Sequence, residues 1–154
     1  MLESSDYSAK DNSYAYICCN PIAKFYVKKN TLFTEYPDGS KFQKEVVKDI
    51  RIFSELEKFM NKFSIQDDSN QSKKYISKGL FGYMTYDSVR FFEKININNE
   101  SFGDDIPDIY YSLYSEIIVV NTFNNEANLI SHSGNKNKID AVSYTHLRAH
   151  ETRG

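Results

Sequence analysis

A carboxylate and two hydroxyls stand side by side at Glu3-Ser4-Ser5, behind the apolar pair Met1-Leu2 and ahead of a charged cluster running to Asp11. A carboxylate next to a hydroxyl suits a ligand that bears an ammonium group. The first attracts the cation, and the second gives or accepts a hydrogen bond. Leu2 can close a short buried strand whose end Glu3 and Ser4 turn into a polar site. On residue chemistry alone, a Ser/Asp-rich exit from a strand into a turn is the favoured reading.

At the other end, His146, His150 and Glu151 invite a metal reading, because histidines four residues apart share a helix face. The eleven residues Val142 to Thr152, however, read as the translation of a transposon-end sequencing adapter. Residues 142–154 are therefore expected to be a non-native tail, and the metal reading is rejected. The natural chain is expected to run on past Ala141 and to begin before Met1. Residues 1–141 hold no internal repeat, no Gly-rich phosphate loop and no Ser/His/Asp or Cys/His set. No catalytic and no metal-ligating residue is assigned.

The 154 residues carry 40% apolar and 15% aromatic side chains, with 12 Tyr and 11 Phe. That is enough for one domain with a packed core. The formal net charge of −2 argues against a nucleic-acid partner, which needs a concentrated basic surface. Dropping Arg148, Arg153 and Glu151 moves it only to −3. No apolar run reaches membrane-spanning length and no secretory signal opens the chain, so a cytoplasmic location is expected. Cys18 and Cys19 are adjacent, and packing in a reduced interior is expected of them.

The elements that would carry a site follow from pattern. Tyr14 to Cys19 reads as a strand that Asn20-Pro21 breaks. Ala23–Lys28 and Thr31–Tyr36 read as a hairpin around Lys29-Asn30, with Phe25, Val27 and Phe33 on its inner face. Pro37-Asp38-Gly39 is a turn, with glycine taking the positive φ. Asp49 is expected to cap a helix from Ile50 to about Phe63, whose apolar residues fall at three- and four-residue steps. Gln66–Lys74 and Asn96–Asp105 read as polar loops. Leu80 to Met84 reads as a strand in which Gly82 lets another backbone approach closely. Asp87 is expected to cap a helix over Ser88–Glu93, a role preferred for Tyr86 and Asp87 over ligand contact. Pro107 to Phe123 is a long β-prone run, with Ile117–Val120 buried on both faces. Asn124-Asn125 turns the chain into a returning strand at Ala127–Ser131. The fold class is α+β: a largely antiparallel sheet with a few packing helices.

Three segments together resemble one family. Met1-Leu-Glu-Ser4, followed by Asp6, Lys10 and Asp11, resembles the LLES segment of anthranilate synthase component I. Gly79 to Glu93 and Ile106-Pro-Asp-Ile-Tyr110 also resemble that family and follow in its order. The chain departs from it at Ser13 and Ala15, and at Thr122, where members usually carry histidine. No chemistry is assigned to those positions.

The resemblance covers residues 1 to about 133. It implies an incomplete N-terminal portion of a larger two-part enzyme, spanning residues 1–141. Such an enzyme turns chorismate and ammonia into anthranilate and pyruvate in tryptophan biosynthesis. The ammonia comes from a glutamine amidotransferase, component II. Chorismate and Mg²⁺ bind in the C-terminal half, absent here, so the fragment alone is expected to be inactive. It implies that Ser4, with Glu3 second, belongs to a feedback site for L-tryptophan. Aminodeoxychorismate synthase component I is the alternative within the superfamily, and a stand-alone ligand-binding or interaction module the alternative outside it.

Overall fold

A computed structural model describes residues 2–4, 14–47, 51–67, 79–93, 95, 106–123, 126–133 and 138–148, with the backbone alone for 2–4, 64–67, 133 and 138–148. The strands are β1 (Leu2–Ser4), β2 (Tyr14–Lys28), β3 (Thr31–Glu35), β4 (Lys41–Glu45), β5 (Ser64–Asp67), β6 (Phe81–Met84), β7 (Ile109–Asn121), β8 (Glu126–Ser133) and β9 (Lys138–Arg148). Helix α1 (Ile52–Met60) lies between β4 and β5, and a 3₁₀ helix, Tyr86–Phe91, follows β6.

The long β-prone runs β2 and β7 pair antiparallel from Tyr14↔Asn121 to Val27↔Ile109 and form the spine of the sheet. Each edge of this ribbon carries two shorter strands in succession. β1 lies beside the first residues of β2 and β3 beside its last, while β6 lies beside the first residues of β7 and β8 beside its last. β4 extends β3 on one side, and β9 and then β5 extend β8 on the other. All of these pairings are antiparallel except β5 with β9. The expected α+β class and antiparallel sheet hold.

The spine is kinked where the sequence put a break. β2 runs through Asn20-Pro21, but its register slips by one residue between Pro21 and Ala23. Asn20 takes the left-handed conformation at φ 57°, which its short polar side chain tolerates. Pro21 has no amide to lose, so a bulge accommodates it inside a strand. Ser112, fully buried, donates its hydroxyl to the Ala23 carbonyl at 2.8 Å beside the slipped register. The consequence is large. Tyr16 and Phe81 have ring centroids 5.6 Å apart, yet their partners on β7, Val119 and Ser112, are seven residues apart. A straight strand would separate those positions by about 23 Å, so the ribbon coils and closes on its own face.

Two apolar clusters result. One gathers Phe25, Val27, Leu32, Ile109 and Leu113 under Ile52 and Phe59 of α1. The other holds Tyr14, Tyr16, Phe81, Ile117, Val119 and Ile130. The Lys29-Asn30 hairpin forms with φ of 50° and 58°, the two-residue turn that matches strand twist. Gly39 takes φ 82° and donates its amide to the Tyr36 carbonyl, while Asp38 accepts from the Ser40 amide and hydroxyl. Gly82 faces the β7 backbone so closely that an added Cβ would overlap the Tyr110 carbonyl oxygen.

Several expectations are corrected. Phe33 does not join Phe25 and Val27: it pairs with Tyr26 and stacks on that ring at 4.9 Å, on the opposite face, and Leu32 packs inside instead. Ile117 and Val119 are buried but Ile118 and Val120 only partly, so β7 is interior in the sheet without being covered equally on both faces. Thr85, not Asp87, is the N-cap of the 3₁₀ helix; the Ser88 hydroxyl donates to the Thr85 carbonyl at 2.6 Å, and Asp87 is exposed. Helix α1 is shorter than expected and begins after Arg51, while Asp49 lies outside the described residues. β5 takes the first part of the expected loop at Gln66, and β4, a charged edge strand, had no counterpart in the sequence reading. The expected boundary at Ala141 falls inside β9, whose Val142 pairs with Ser131 and Leu147 with Ala127. Backbone pairing tolerates many sequences, so it leaves the expected adapter origin of that segment where the sequence put it.

Candidate functional site

The two residues singled out first lie on β1, and the ladder places them against the buried start of β2. Leu2 is opposite Tyr16, Glu3 opposite Ala15 and Ser4 opposite Tyr14. Tyr14, Ala15 and Tyr16 are 8%, 2% and 7% exposed. Ser4 is therefore held by main-chain pairing at the edge of an aromatic, desolvated patch. Asp6, Lys10 and Asp11, the rest of that cluster, lie outside the described residues.

The three segments singled out in sequence are joined through the β2–β7 spine, the first at one end and the other two at the opposite end. β1 pairs with the start of β2, and Phe81, from Gly79–Glu93, packs on Tyr16. β6 pairs with the start of β7, Met84 with Ile109 and Tyr83 with Tyr110, which brings in the third segment. The join is tightened by Arg90. Its Nη2 pairs with Asp108 Oδ2 at 2.8 Å and its Nη1 donates to the Asp87 carbonyl at 2.9 Å, while the guanidinium stacks 4.6 Å from the Phe91 ring. Arg90 and Asp108 are each about one-fifth exposed. Their pairing fixes the 3₁₀ helix against the entry to β7, so Arg90 positions backbone.

Other polar groups nearby are structural. His132 is buried and its Nδ1 lies 2.7 Å from the Tyr114 carbonyl; a carbonyl only accepts, so Nδ1 carries the proton. Burial pushes the Cys18 thiol up, which keeps it protonated and poorly nucleophilic at neutral pH. Both cysteines are free and half-buried, where the sequence reading expected an interior position. Burial likewise raises Tyr83 and Tyr114, with neighbouring Tyr110 adding to it. Among the described residues, no three His, Cys, Asp or Glu side chains come together in a way that could hold a metal ion. No helix among the described residues is long and apolar enough to cross a membrane.

No family model matches the sequence, and no curated protein matches it. A solved structure does: the anthranilate synthase component I of Streptococcus pneumoniae TIGR4, with a TM-score of 0.51 and 16% sequence identity. The match covers 82% of this chain and 25% of that one, so the chain spans about a quarter of the length of the enzyme it resembles. At that identity the likeness is one of fold.

Proposed function

We propose that this chain is the N-terminal, regulatory portion of an anthranilate synthase component I, carrying half of an L-tryptophan feedback site. The observation that carries this reading is that all three segments that resemble the family in sequence attach to the β2–β7 spine, the first at its Tyr14–Asn121 end and the other two at its Val27–Ile109 end, with the Phe81 ring on Tyr16 linking the two ends. The fold likeness to an enzyme of that kind, over a quarter of its length, supports it independently.

In this reading Ser4 gives or accepts a hydrogen bond at the ligand, and Glu3 attracts its ammonium group. The aromatic floor at Tyr14 and Tyr16 keeps water from competing. Catalysis belongs to a C-terminal half that binds chorismate and Mg²⁺ and receives ammonia from a glutamine amidotransferase partner. The present residues position and regulate.

The test separates the two halves. Given chorismate, Mg²⁺ and ammonium, the 154-residue chain should form no fluorescent anthranilate above background, while a polypeptide that continues into a chorismate-binding half should, and L-tryptophan should suppress it. Turnover by the short chain, or a tryptophan-indifferent longer one, would remove the proposal. Formation of aminodeoxychorismate in place of anthranilate would shift it to the sister enzyme.

A further inference from the structure

β4 is the last strand of the sheet on its side, and all of its residues, Lys41–Glu45, are exposed. Its ladder with β3 shows which backbone groups are left over. The Tyr36 amide donates to the Ser40 carbonyl at 3.0 Å just before the strand, and the Val46 amide to the Asn30 carbonyl at 2.7 Å just after it. Hydrogen-bonded pairs alternate along an antiparallel ladder. Between those two bonds, Leu32 with Lys44 and Thr34 with Phe42 are therefore the pairs that exchange bonds. The amides and carbonyls of Lys41, Gln43 and Glu45 point away from β3, at an edge with no partner strand among the described residues.

The side chains along that edge carry a charge pattern. Lys24, Glu35 and Lys41 form a row across β2, β3 and β4, with Lys24 Nζ 3.3 Å from Glu35 Oε2 and Lys41 Nζ 3.4 Å from Glu35 Oε1. The row stops at a cation. Glu45 shares that face of β4, since positions an even step apart point the same way. It stands opposite Thr31 and has no ion-pair partner among the described residues. On the other face Phe42 is 60% exposed, with Lys44 next to it along the strand.

From this geometry we infer that β4 pairs with β4 of a second copy of this chain, antiparallel about a two-fold axis through Gln43. That register sets Gln43 opposite Gln43 and Lys41 opposite Glu45 on both sides of the axis, and it uses the outward backbone groups of all three. The charge row then continues from Lys24 through Glu35 and Lys41 to Glu45 of the second copy. Phe42 falls opposite Lys44 of the second copy, whose methylene stem covers the ring. The Lys44 ammonium stays with Glu55 of its own chain, 3.5 Å away. A slip of two residues one way sets Lys44 against Lys44, like charges directly opposite. A slip the other way leaves Lys41 facing Gln43 and Glu45 without its lysine. Lysines on an edge strand keep other strands off, and here the strand's own reverse matches them. The contact is self-complementary, so it closes as a dimer. It lies on the far edge of the sheet from β1 and is independent of the feedback reading.

The test is sedimentation equilibrium of the full 154-residue chain at neutral pH. The mass should rise with concentration from one chain to two, with a dissociation constant of roughly 10–300 µM, the weak range that suits an interface under about 1,200 Å². Gln43→Pro removes an amide that faces away from β3, so circular dichroism should show the wild-type fold. Its dimer should be weaker by at least about tenfold. Two charge variants test the register without touching the backbone. Glu45→Lys and Lys41→Glu each set like charges opposite one another, and each should weaken self-association by about threefold to tenfold. Mixed together they should associate more tightly than either alone, because every lysine then faces a glutamate across the axis. A single-chain mass up to about 1 mM, well above the expected range, would overturn the inference. So would undiminished association of folded Gln43→Pro, or a mixture of the charge variants that associates no better than they do separately.

Discussion

Gly82→Ala is the sharpest perturbation the fold offers. An added Cβ at Gly82 would overlap the Tyr110 carbonyl oxygen and sit 2.7 Å from both the Tyr110 carbonyl carbon and the Tyr111 Cα. These are backbone atoms of the central strand, which cannot swing aside as a side chain can. β6 must then lift from β7, loosening the pairs Phe81↔Ser112 to Met84↔Ile109. Phe81, 7% exposed and packed on Tyr16, loses its place in the second cluster. Withdrawing a buried phenylalanine costs about 3–5 kcal/mol, a large share of the roughly 5–15 kcal/mol that holds a domain together. Gly39→Ala is the control. Gly39 has φ 82° but nothing within 4 Å, so alanine meets only the left-handed backbone penalty of about 1–2 kcal/mol. Urea unfolding, read by circular dichroism, should rank Gly82→Ala well below Gly39→Ala. A Gly82→Ala midpoint equal to or above that of Gly39→Ala would refute the close-approach argument.

Other outcomes follow from particular contacts. Asp108→Asn removes the charge facing Arg90 and should cost about 1–3 kcal/mol in the same unfolding experiment, the usual penalty for a partly buried charge left without its partner. Lys29→Gly relieves a side chain at φ 50° and should raise the midpoint slightly, by no more than about 1 kcal/mol. The acid limb of stability should depend on Glu35 and Glu55. Burial pushes Glu35 up, but Lys24 and Lys41 outweigh it, so both carboxyls sit below their ordinary value in the folded chain. A depressed folded value means the stabilisation is present above the unfolded pKa of about 4.3 and is lost as pH falls through the folded values. Stability measured from pH 6 downward should fall less steeply in the Glu35→Gln/Glu55→Gln double variant, and identical acid slopes would count against these pairings.

Much of the architecture was legible because single residues carry unambiguous constraints. Glycine at 39 and 82 and the Lys29-Asn30 turn marked features that the backbone then shows. Apolar spacing marked α1. Faces were harder. Phe33 looked like an inner residue, but register decides that, and register comes from a hairpin turn whose alignment put Phe33 beside Tyr26. Pro21 looked like a strand end because a proline cannot donate, whereas a bulge with Asn20 in the left-handed region absorbs it. β4 was missed because Lys41-Phe-Gln-Lys-Glu45 is an edge strand, where the pattern is set by solvent and not by a core. The candidate site was legible in sequence only through resemblance. Nothing in the residue types of Glu3 and Ser4 required them to lie beside Tyr14 and Tyr16, since that pairing is a contact between strands.

The central claim stands on Ser4. Titrating L-tryptophan against anthranilate production by the longer enzyme and by its Ser4→Ala form reads that claim directly. Loss of one hydrogen bond at a desolvated edge should raise the inhibition constant by roughly five- to 150-fold, equivalent to about 1–3 kcal/mol. On the proposed reading the reacting groups lie in the other half, so turnover without tryptophan should be unchanged. Equal inhibition constants for the two forms, or a parallel fall in activity and stability, would contradict the account.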